Sequence, residues 1–358
     1  MKFTKQELLF LELYQTCADT RNVLHDKLII KTDKENNKVV FAQISYEASL
    51  FTTLEKEVEE DFVVILETNN IFSMIRLTQD SEEIFISKDK IKIGKNSTYD
   101  FKKYQFDVSI LDSFLELKDP TESIQIKELN KLNTLKPFIG IDNFSMIKLF
   151  NGWAVASNST DITGAVQTEN KEVDFILPRI LLQVIQKVKS DNLDFEKFYI
   201  QDNEVYYKIK VGNTNIFLPE VESKLQDIFD SEIRELYYHE NRIKVKKESI
   251  NLALRRIFIS AIKNTYNRII LNFEKDNIKI VSKEFDYAEE NIGAIVDEEV
   301  IGTKISLSAS YLMTIIDLIK GEDITILCTK DPDIVAVTLE GEKKDKFFIH
   351  NVYEIIEN

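Results

Sequence analysis

Few residues of this chain are of the types that usually carry out covalent chemistry. Its two cysteines are too few for a disulfide framework or a structural zinc site and indicate a reducing compartment. Its three histidines leave little for catalysis or metal binding. These residues are Cys17, Cys328, His25, His239 and His350. GxSxG, HExxH, CxxC and GxGxxG motifs are absent, and Gly94-Lys95 lacks the upstream glycine of a P-loop. We therefore expect a non-enzyme with no cofactor and no metal.

Acidic residues are plentiful and leave one remote enzymatic alternative. They are dense in residues 55–61 and 284–290, but acidic runs are usually solvated loops. A hydrolase using these loops is remote, because no paired general acid and base can be named. No apolar run approaches about 18 residues, and the N-terminus lacks a signal-peptide pattern. We therefore expect a cytoplasmic protein without membrane contact.

The distribution of basic residues is more informative than the net charge. The 358-residue chain has 46 Lys and Arg against 61 Asp and Glu, a net charge of −15, which by itself disfavours a nucleic-acid partner. Six segments predicted as helices hold 15 basic and 7 acidic residues, so they carry +8 and the rest of the chain carries −23. These segments are 4–21, 67–79, 125–137, 178–190, 246–263 and 308–321.

Helical phase places several of these basic residues together. At about 100° per residue, Arg179 and Lys187 lie opposite the apolar residues of segment 178–190, which contains no acid. Lys127 and Lys131 likewise share one face of segment 125–137. Such faces attract phosphate groups without reading base sequence. The ordinary alternative is a solvated helix face that carries lysines.

The elements that hold these residues recur three times along the chain. Glu7, Glu128 and Glu248 each follow a lysine early in a predicted helix and are 121 and 120 residues apart. Each third of the chain predicts a helix, a hairpin, a strand, a helix and a hairpin, with turns such as Asn151-Gly152. We predict an α+β fold with domains at 1–121, 122–241 and 242–358. Three unrelated α+β domains are the weaker alternative.

The predicted helix 247–263 is apolar on two sides. Ile250, Leu254 and Ile257 form its core stripe, and a second strip lies on the far side among arginines. That strip consists of Leu252, Ile259 and Ile262. It suggests a contact between subunits, although burial under a loop is an equally ordinary explanation.

Several stretches resemble one known family. Residues 1–4, Met-Lys-Phe-Thr, look like that family's opening strand. Residues 267–280 are similar to its third-domain hairpin, and residues 305–326 to its late strand, helix and strand. The family is the bacterial DNA polymerase sliding clamp, the polymerase III beta subunit. With the three-fold repeat and the acidic composition, these stretches identify the chain as a divergent member.

The resemblance implies a ring-forming fold. Each of three clamp domains would contribute two inner helices packed on an outer antiparallel sheet, and each chain would form half of a closed ring. Duplex DNA would pass through the hole and be held without sequence preference. The residues expected to face DNA are Arg21, Lys127, Lys131, Arg179, Lys187, Arg256 and Lys263. Those expected at the head-to-tail homodimer interface are Phe101, Tyr104, Leu252, Ile259 and Ile262.

The resemblance also implies a peptide-binding pocket between the second and third domains, which receives short linear motifs of polymerases and the clamp loader. The family's motif Ala-Thr-Asp-Gly-His-Arg-Leu matches residues 156–162, which read Ala-Ser-Asn-Ser-Thr-Asp-Ile. The motif has therefore drifted, and so has the C-terminal wall. The expected lining is Ser157, Ile162, Phe348, Ile349 and Val352. The alternative is that these residues simply pack the domain junction.

These observations predict a DNA sliding clamp. It would act as a non-enzymatic processivity factor in DNA replication that encircles duplex DNA and tethers a replicative polymerase and other motif-bearing partners. The alternative from another class is an acidic protein-interaction scaffold of clamp fold that no longer loads on DNA.

Overall fold

The computed structural model describes most of the chain. The described residues are 1–18, 27–95, 97–100, 104, 109–117, 119–141, 144–158, 161–185, 190–200, 204–230, 242–261, 267–282, 287–328, 337–341, 346–349 and 353–354. They fall into two compact units. Unit 1 comprises residues 1–127 and 180–221, and unit 2 comprises residues 128–179 and 222–358. No helix among the described residues is long and apolar enough to cross a membrane.

Unit 1 contains two antiparallel sheets. Its strands are β1 Lys2–Phe3, β2 Lys27–Asp33, β3 Lys38–Gln43, β4 Ser49–Glu55, β5 Val63–Glu67, β6 Ile84–Ile86, β7 Lys90–Ile93, β8 Ser97–Asp100, β9 Glu122–Ile126, β14 Leu193–Tyr199, β15 Val205–Val211 and β16 Thr214–Pro219. Its helices are α1 Leu11–Cys17, α2 Thr68–Leu77, α3 Ser109–Leu115 and most of α5 Arg179–Ile185. The strand orders are β1-β6-β7-β8 and β5-β2-β3-β4-β16-β15-β14-β9.

Unit 2 contains one long antiparallel sheet. Its strands are β10 Met146–Phe150, β11 Trp153–Ser157, β12 Ile162–Gln167, β13 Phe175–Pro178, β17 Arg242–Lys246, β18 Arg268–Glu274, β19 Asn277–Ser282, β20 Ala288–Val296, β21 Lys304–Ser308, β22 Asp323–Cys328, β23 Val337–Glu340, β24 Lys346–Ile349 and β25 Tyr353–Glu354. Its helices are α4 Leu129–Leu132, α6 Leu225–Ile228, α7 Lys247–Ala261 and α8 Ala309–Leu318. The strand order is β13-β10-β11-β12-β24-β23-β22-β17-β20-β19-β18-β21-β25.

All six segments predicted as helices contain a helix, with shifted ends. The first is divided into a 3₁₀ turn at Gln6–Leu8 and α1. The third begins late, because Ile126 ends β9 and Glu128 adopts the left-handed conformation with φ of 60°. It then tightens into a 3₁₀ helix at Asn133–Phe138, which holds Pro137. Proline removes a helical N–H and clashes with the preceding turn, so a regular helix cannot continue there.

Local turn chemistry explains the hairpins. Asn151 and Gly152 join β10 to β11 with φ values of 48° and 77°. Positive φ at both central residues gives a type I′ turn, whose twist matches that of the flanking strands. The hairpins predicted through residues 34–37 and 275–277 also form, as β2–β3 and β18–β19.

The sheets repeat one pattern of three neighbouring strands. Strands β2, β3 and β4 form an antiparallel meander, as do β10, β11 and β12, and β18, β19 and β20. The last strand of the first meander pairs with β16, with Thr52 opposite Thr214. The last strand of the second pairs with β24, with Ile162 opposite Ile349. Each sheet therefore continues from one predicted repeat into the next, and the division at residues 121 and 241 stays a prediction.

A buried chain of hydroxyl groups ties a helix to the β4–β16 pairing. Tyr14 on α1 has no exposed surface, and its hydroxyl donates to the Phe41 carbonyl at 2.8 Å. The same hydroxyl lies 3.0 Å from Thr52 Oγ1, which lies 2.8 Å from Thr214 Oγ1. Buried hydroxyl groups need such partners, because an unpaired one costs about 1–3 kcal/mol. We call these three residues the hydroxyl relay.

Candidate nucleic-acid and subunit interfaces

Helix α5 separates apolar and basic residues as its sequence predicts. Ile180, Leu181 and Val184 are buried. Arg179 is exposed at the first helical position, and its backbone N–H donates to the Ser145 carbonyl at 2.8 Å. The seven residues of α5 include no acid. Arg179 therefore offers a guanidinium group to solvent without a carboxylate on its own helix.

Two further predicted DNA-facing lysines are placed differently. Lys127 follows β9 and is exposed, whereas Lys131 lies in α4 and is half-buried. Both retain the long side chains that can reach a phosphate oxygen from a helix or strand end.

Arg256, also predicted to face DNA, has an acidic neighbour. It is exposed on α7, and its Nη1 lies 3.5 Å from Glu290 Oε2 on β20. Surface ion pairs of this kind contribute about 0–1 kcal/mol, so a phosphate can compete for the guanidinium. The pairing nevertheless lowers the local positive charge, which sequence reasoning did not foresee because 34 residues separate the partners.

Some predicted site residues lie outside the described part of the chain. They are Arg21, Lys187 and Lys263 of the DNA-facing set, Phe101 and Ile262 of the interface set, and Val352 of the pocket set.

Four predicted pocket residues lie on the neighbouring strands β11, β12 and β24 of unit 2, with Ser157 and Phe348 on one face of the sheet and Ile162 and Ile349 on the other. Ser157 ends β11, and Ile162 on β12 faces Ile349 on β24, next to Phe348. All four are buried, with Phe348 and Ile349 having no exposed surface. Thr163 Oγ1 donates to Ser157 Oγ at 2.8 Å. These side chains thus form part of the packed interior at this strand pairing, and their service as a peptide pocket stays a prediction.

A tyrosine that the sequence did not single out holds the loop beside this cluster. The Tyr311 hydroxyl, on α8, donates to Asp161 Oδ2 at 2.9 Å. Burial and the adjacent carboxylate raise the pKa of Tyr311, so the hydroxyl stays protonated and keeps donating at neutral pH. The 150 residues between the partners explain why no sequence pattern reveals the contact.

Helix α7 has the two-sided apolar pattern that the sequence predicts. Ile250, Leu254 and Ile257 are buried, whereas Leu252 is 49% exposed and Ile259 is 71% exposed. A single exposed apolar side chain beside charged residues is an ordinary feature, but a leucine and an isoleucine on one helix face form an apolar strip. We call Leu252 and Ile259 the α7 strip.

Unit 1 has its own exposed apolar feature along α2 and β8. A cavity of about 280 Å³ lies between Ile71 and Met74 of α2, Tyr99 of β8, and Tyr104. The Tyr104 hydroxyl donates to Glu67 Oε1 at 2.7 Å, and Lys27 Nζ lies 4.9 Å from its ring centre. These contacts fix the ring of Tyr104, which was predicted at the subunit interface.

Of the strand edges that lack a neighbour among the described residues, those of β20 and β8 are at positions where the equivalent edges of the other meanders are paired. Residues 288–293 of β20 pair with β19 on one side and with no described strand on the other. Strand β8 pairs with β7 and with no other described strand. Strand β20 ends the third meander, where β4 and β12 have the partners β16 and β24. Strand β8 occupies the place in its sheet that β16 and β24 occupy in theirs.

Comparison with solved structures assigns the fold class. DNA polymerase III beta subunit from Thermotoga maritima is similar with a TM-score of 0.78 and 13% identity over 100% of this chain and 99% of that one. The DNA polymerase sliding clamp from Pseudomonas aeruginosa has a TM-score of 0.75, with the same identity and coverage. The beta sliding clamp from C. crescentus has a TM-score of 0.75 and 12% identity over 99% of each chain. No protein-family model and no curated protein matches the sequence.

The fold is therefore that of the sliding clamps, an α+β architecture of repeated clamp domains built from antiparallel sheets and helices. More particularly, it is the fold of the DNA polymerase III beta subunits, matched along the whole chain. Among the described residues, no group of three or more His, Cys, Asp or Glu side chains could hold a metal ion.

Proposed function

We propose that this protein is a DNA sliding clamp, a non-enzymatic processivity factor that encircles duplex DNA as a homodimeric ring in the cytoplasm. One observation carries the proposal: in a chain with clamp fold, the edges of β20 and β8 are open among the described residues, whereas the equivalent edges of β4, β16, β12 and β24 are paired. Strands β4 and β12 each pair with a strand of the following repeat, whereas β20 pairs on that side only with β17 of its own repeat, at residues 294–296. Residues 288–293 of β20 have no described partner there. Pairing of β20 with β8 of a second copy would repeat the same junction between chains.

Apolar surface supports that contact. The α7 strip lies in unit 2 on a helix packed against β20, and the α2–β8 cavity lies in unit 1 beside the other open edge. A head-to-tail contact between two copies would cover both. Since a two-fold pair of such copies makes this contact twice, each apolar group contributes twice to closing the ring.

The basic helices support DNA as the partner inside the ring. Arg179, Lys127 and Arg256 are exposed on or beside helices, while the chain as a whole carries −15. An acidic exterior would repel DNA, and basic inner helices would attract phosphates at any sequence. Linkage by encirclement needs no tight contact, so a few exchangeable phosphate contacts suffice for retention and sliding. Short motifs of a polymerase and of a clamp loader would bind outside the hole, beside the β12–β24 pairing where the predicted pocket residues lie.

Encirclement is tested by retention that depends on DNA topology. The protein is incubated with a nicked plasmid and passed over a sizing column at raised salt, which removes contacts made by charge alone. We expect the protein to elute with the circular DNA and to be lost from the DNA after a restriction enzyme makes it linear. Retention should return when streptavidin blocks both ends of the linear DNA. Equal retention on open linear DNA would contradict encirclement.

The scaffold alternative has one specific observation in its favour. The Arg256–Glu290 ion pair neutralises one of the predicted DNA-facing groups. A stable dimer that is retained on none of the three DNA forms would favour a scaffold of clamp fold that no longer loads on DNA.

A further inference from the structure

Unit 1 contains a second cavity, whose described lining includes no residue discussed so far as a site. Its volume is about 570 Å³, within the range of roughly 300–1,000 Å³ typical of ligand sites. It opens where the β3–β4 loop, α3, the start of β15 and the end of β16 meet. No motif in the sequence indicates it, because its lining comes from residues 44–49, 110–114 and 204–220.

The floor and one wall of this cavity are apolar. Phe114 is buried and packs edge-on against Tyr206, with ring centres 5.3 Å apart. Phe114 belongs to the core cluster of the unit, so the floor is held rigidly. Ile110, one turn earlier on α3, is 42% exposed and forms a wall. On the opposite side, the Ser45 hydroxyl bonds the Ala48 carbonyl at 2.8 Å and fixes the loop that carries Tyr46.

The charge of the cavity has one sign. Among the described residues that line it, the charged ones are Glu204 and Glu220. Glu220 has partners, since Tyr207 donates to it at 2.7 Å and Lys197 Nζ lies 3.7 Å away. Glu204 accepts a hydrogen bond of 3.1 Å from the Tyr206 hydroxyl. Burial, then the charge of Glu204, raises the pKa of Tyr206 to about 12, so this hydroxyl remains a donor at neutral pH.

The lining therefore selects the chemistry of its occupant. A carboxylate at the rim of an apolar floor suits an aliphatic or aromatic group next to a cation. Phosphorylated metabolites and nucleic acids are disfavoured, because the described lining residues include two glutamates and no lysine or arginine. We propose that this cavity binds an extended peptide segment of a partner protein, with an apolar side chain on Phe114 and an adjacent arginine or lysine on Glu204.

The test uses short fluorescein-labelled peptides in which one position is Arg, Lys, Gln or Glu and the next two are Leu, Phe or Ala. Anisotropy is followed as the full-length protein is added. We expect saturable binding of the peptides in which Arg or Lys is followed by Leu or Phe. Peptides with Gln or Glu at the first position should bind more weakly. Glu204→Gln should weaken the basic members about 10-fold, because it removes a charge-assisted hydrogen bond. It should leave the Gln members unchanged.

Two further variants separate this cavity from other surfaces. Ile110→Ser removes an exposed wall without touching the core and should weaken every apolar member. Glu35→Gln makes the same charge change in the β2–β3 turn, at the opposite end of β3 from the cavity, and should change nothing. Peptide binding equal in all variants, or no saturation by any member at 1 mM (about 4 kcal/mol of affinity), would overturn the proposal. So would a change of solution mass in Glu204→Gln, since the occupant would then be a second copy of this chain.

Discussion

Replacing Ile259 by alanine perturbs the proposed contact between subunits with little effect on the protomer, because 71% of this side chain is exposed. Complete burial of an isoleucine side chain contributes about 1.5–3 kcal/mol. The exposed fraction leaves about 1–2 kcal/mol to be gained at one contact. A ring of two copies makes the contact twice, so the loss is about 2–4 kcal/mol, a roughly 30- to 700-fold rise in the dimer dissociation constant.

Sedimentation over a range of protein concentrations measures this change directly, because the protomer has a mass of 41.7 kDa and the dimer twice that. The matched control is Ile141→Ala, since Ile141 is 75% exposed and lies in a loop with no predicted interface. At protein concentrations low enough for every form to be monomeric, both variants should unfold at the same denaturant concentration as the wild type. Only Ile259→Ala should shift the dimer midpoint to higher concentration.

Two results would refute the reasoning. A wild-type protein that stays at the mass of one chain at every concentration would exclude the ring. Equal weakening by Ile259→Ala and Ile141→Ala would mean that association depends on general surface apolarity and not on the α7 strip.

Three further predictions concern charge, the hydroxyl relay and a buried thiol. Changing three basic residues to glutamine should lower the slope of log K against log salt for duplex DNA by about 0.9 per lost phosphate contact, measured by anisotropy. They are Lys127, Lys131 and Arg179. The control changes three lysines in or beside hairpin turns to glutamine and should leave the slope unchanged. These lysines are Lys34, Lys38 and Lys275. Tyr14→Phe should lower the free energy of unfolding in urea by about 1–2 kcal/mol, because it removes the buried hydrogen bond from the Tyr14 hydroxyl to the Phe41 carbonyl. No change in the urea midpoint would contradict the relay. Burial raises the pKa of Cys328 from 9.0 to about 12. The folded state favours the protonated thiol, and the stability that this contributes is complete below pH 9. This stability is lost as the pH rises towards 12, by up to about 1.4 kcal/mol per pH unit. Between pH 8 and 10.5, the free energy of unfolding in urea should therefore fall less in Cys328→Val than in the wild type. Parallel plots of this free energy against pH for the two proteins would argue against the prediction.

Local signals made the elements of this chain predictable. The Asn151-Gly152 turn requires positive φ at two residues, which asparagine and glycine adopt at low cost, so the hairpin could be placed from two letters. Helix α7 could be predicted with both of its faces, because 15 residues sample the helical period four times. Helices α3 and α6 were not predicted, since seven and four residues are too few for a clear periodicity.

Long-range pairing could not be predicted from the sequence. Thr52 and Thr214 meet in the hydroxyl relay across 162 positions, and neither residue alone differs from an ordinary strand threonine. The exposure of Ile259 was predictable from helical phase, whereas the Arg256–Glu290 pair depends on how β20 lies beside α7. The Glu204 cavity is of the same kind, because three distant segments supply its lining.

The open edges of β20 and β8 make each copy of the protein resemble a monomer in a polymerisation. On the proposed assembly, each copy is a bifunctional monomer with unlike ends, the β20 edge and the β8 edge. Unlike ends join head to tail, so growth stops only when a chain of copies closes on itself, and otherwise it continues into a filament. A copy with one edge blocked is then a chain stopper. Mixed with intact copies, it should leave open pairs joined at a single seam, which can bind DNA by charge but cannot be threaded.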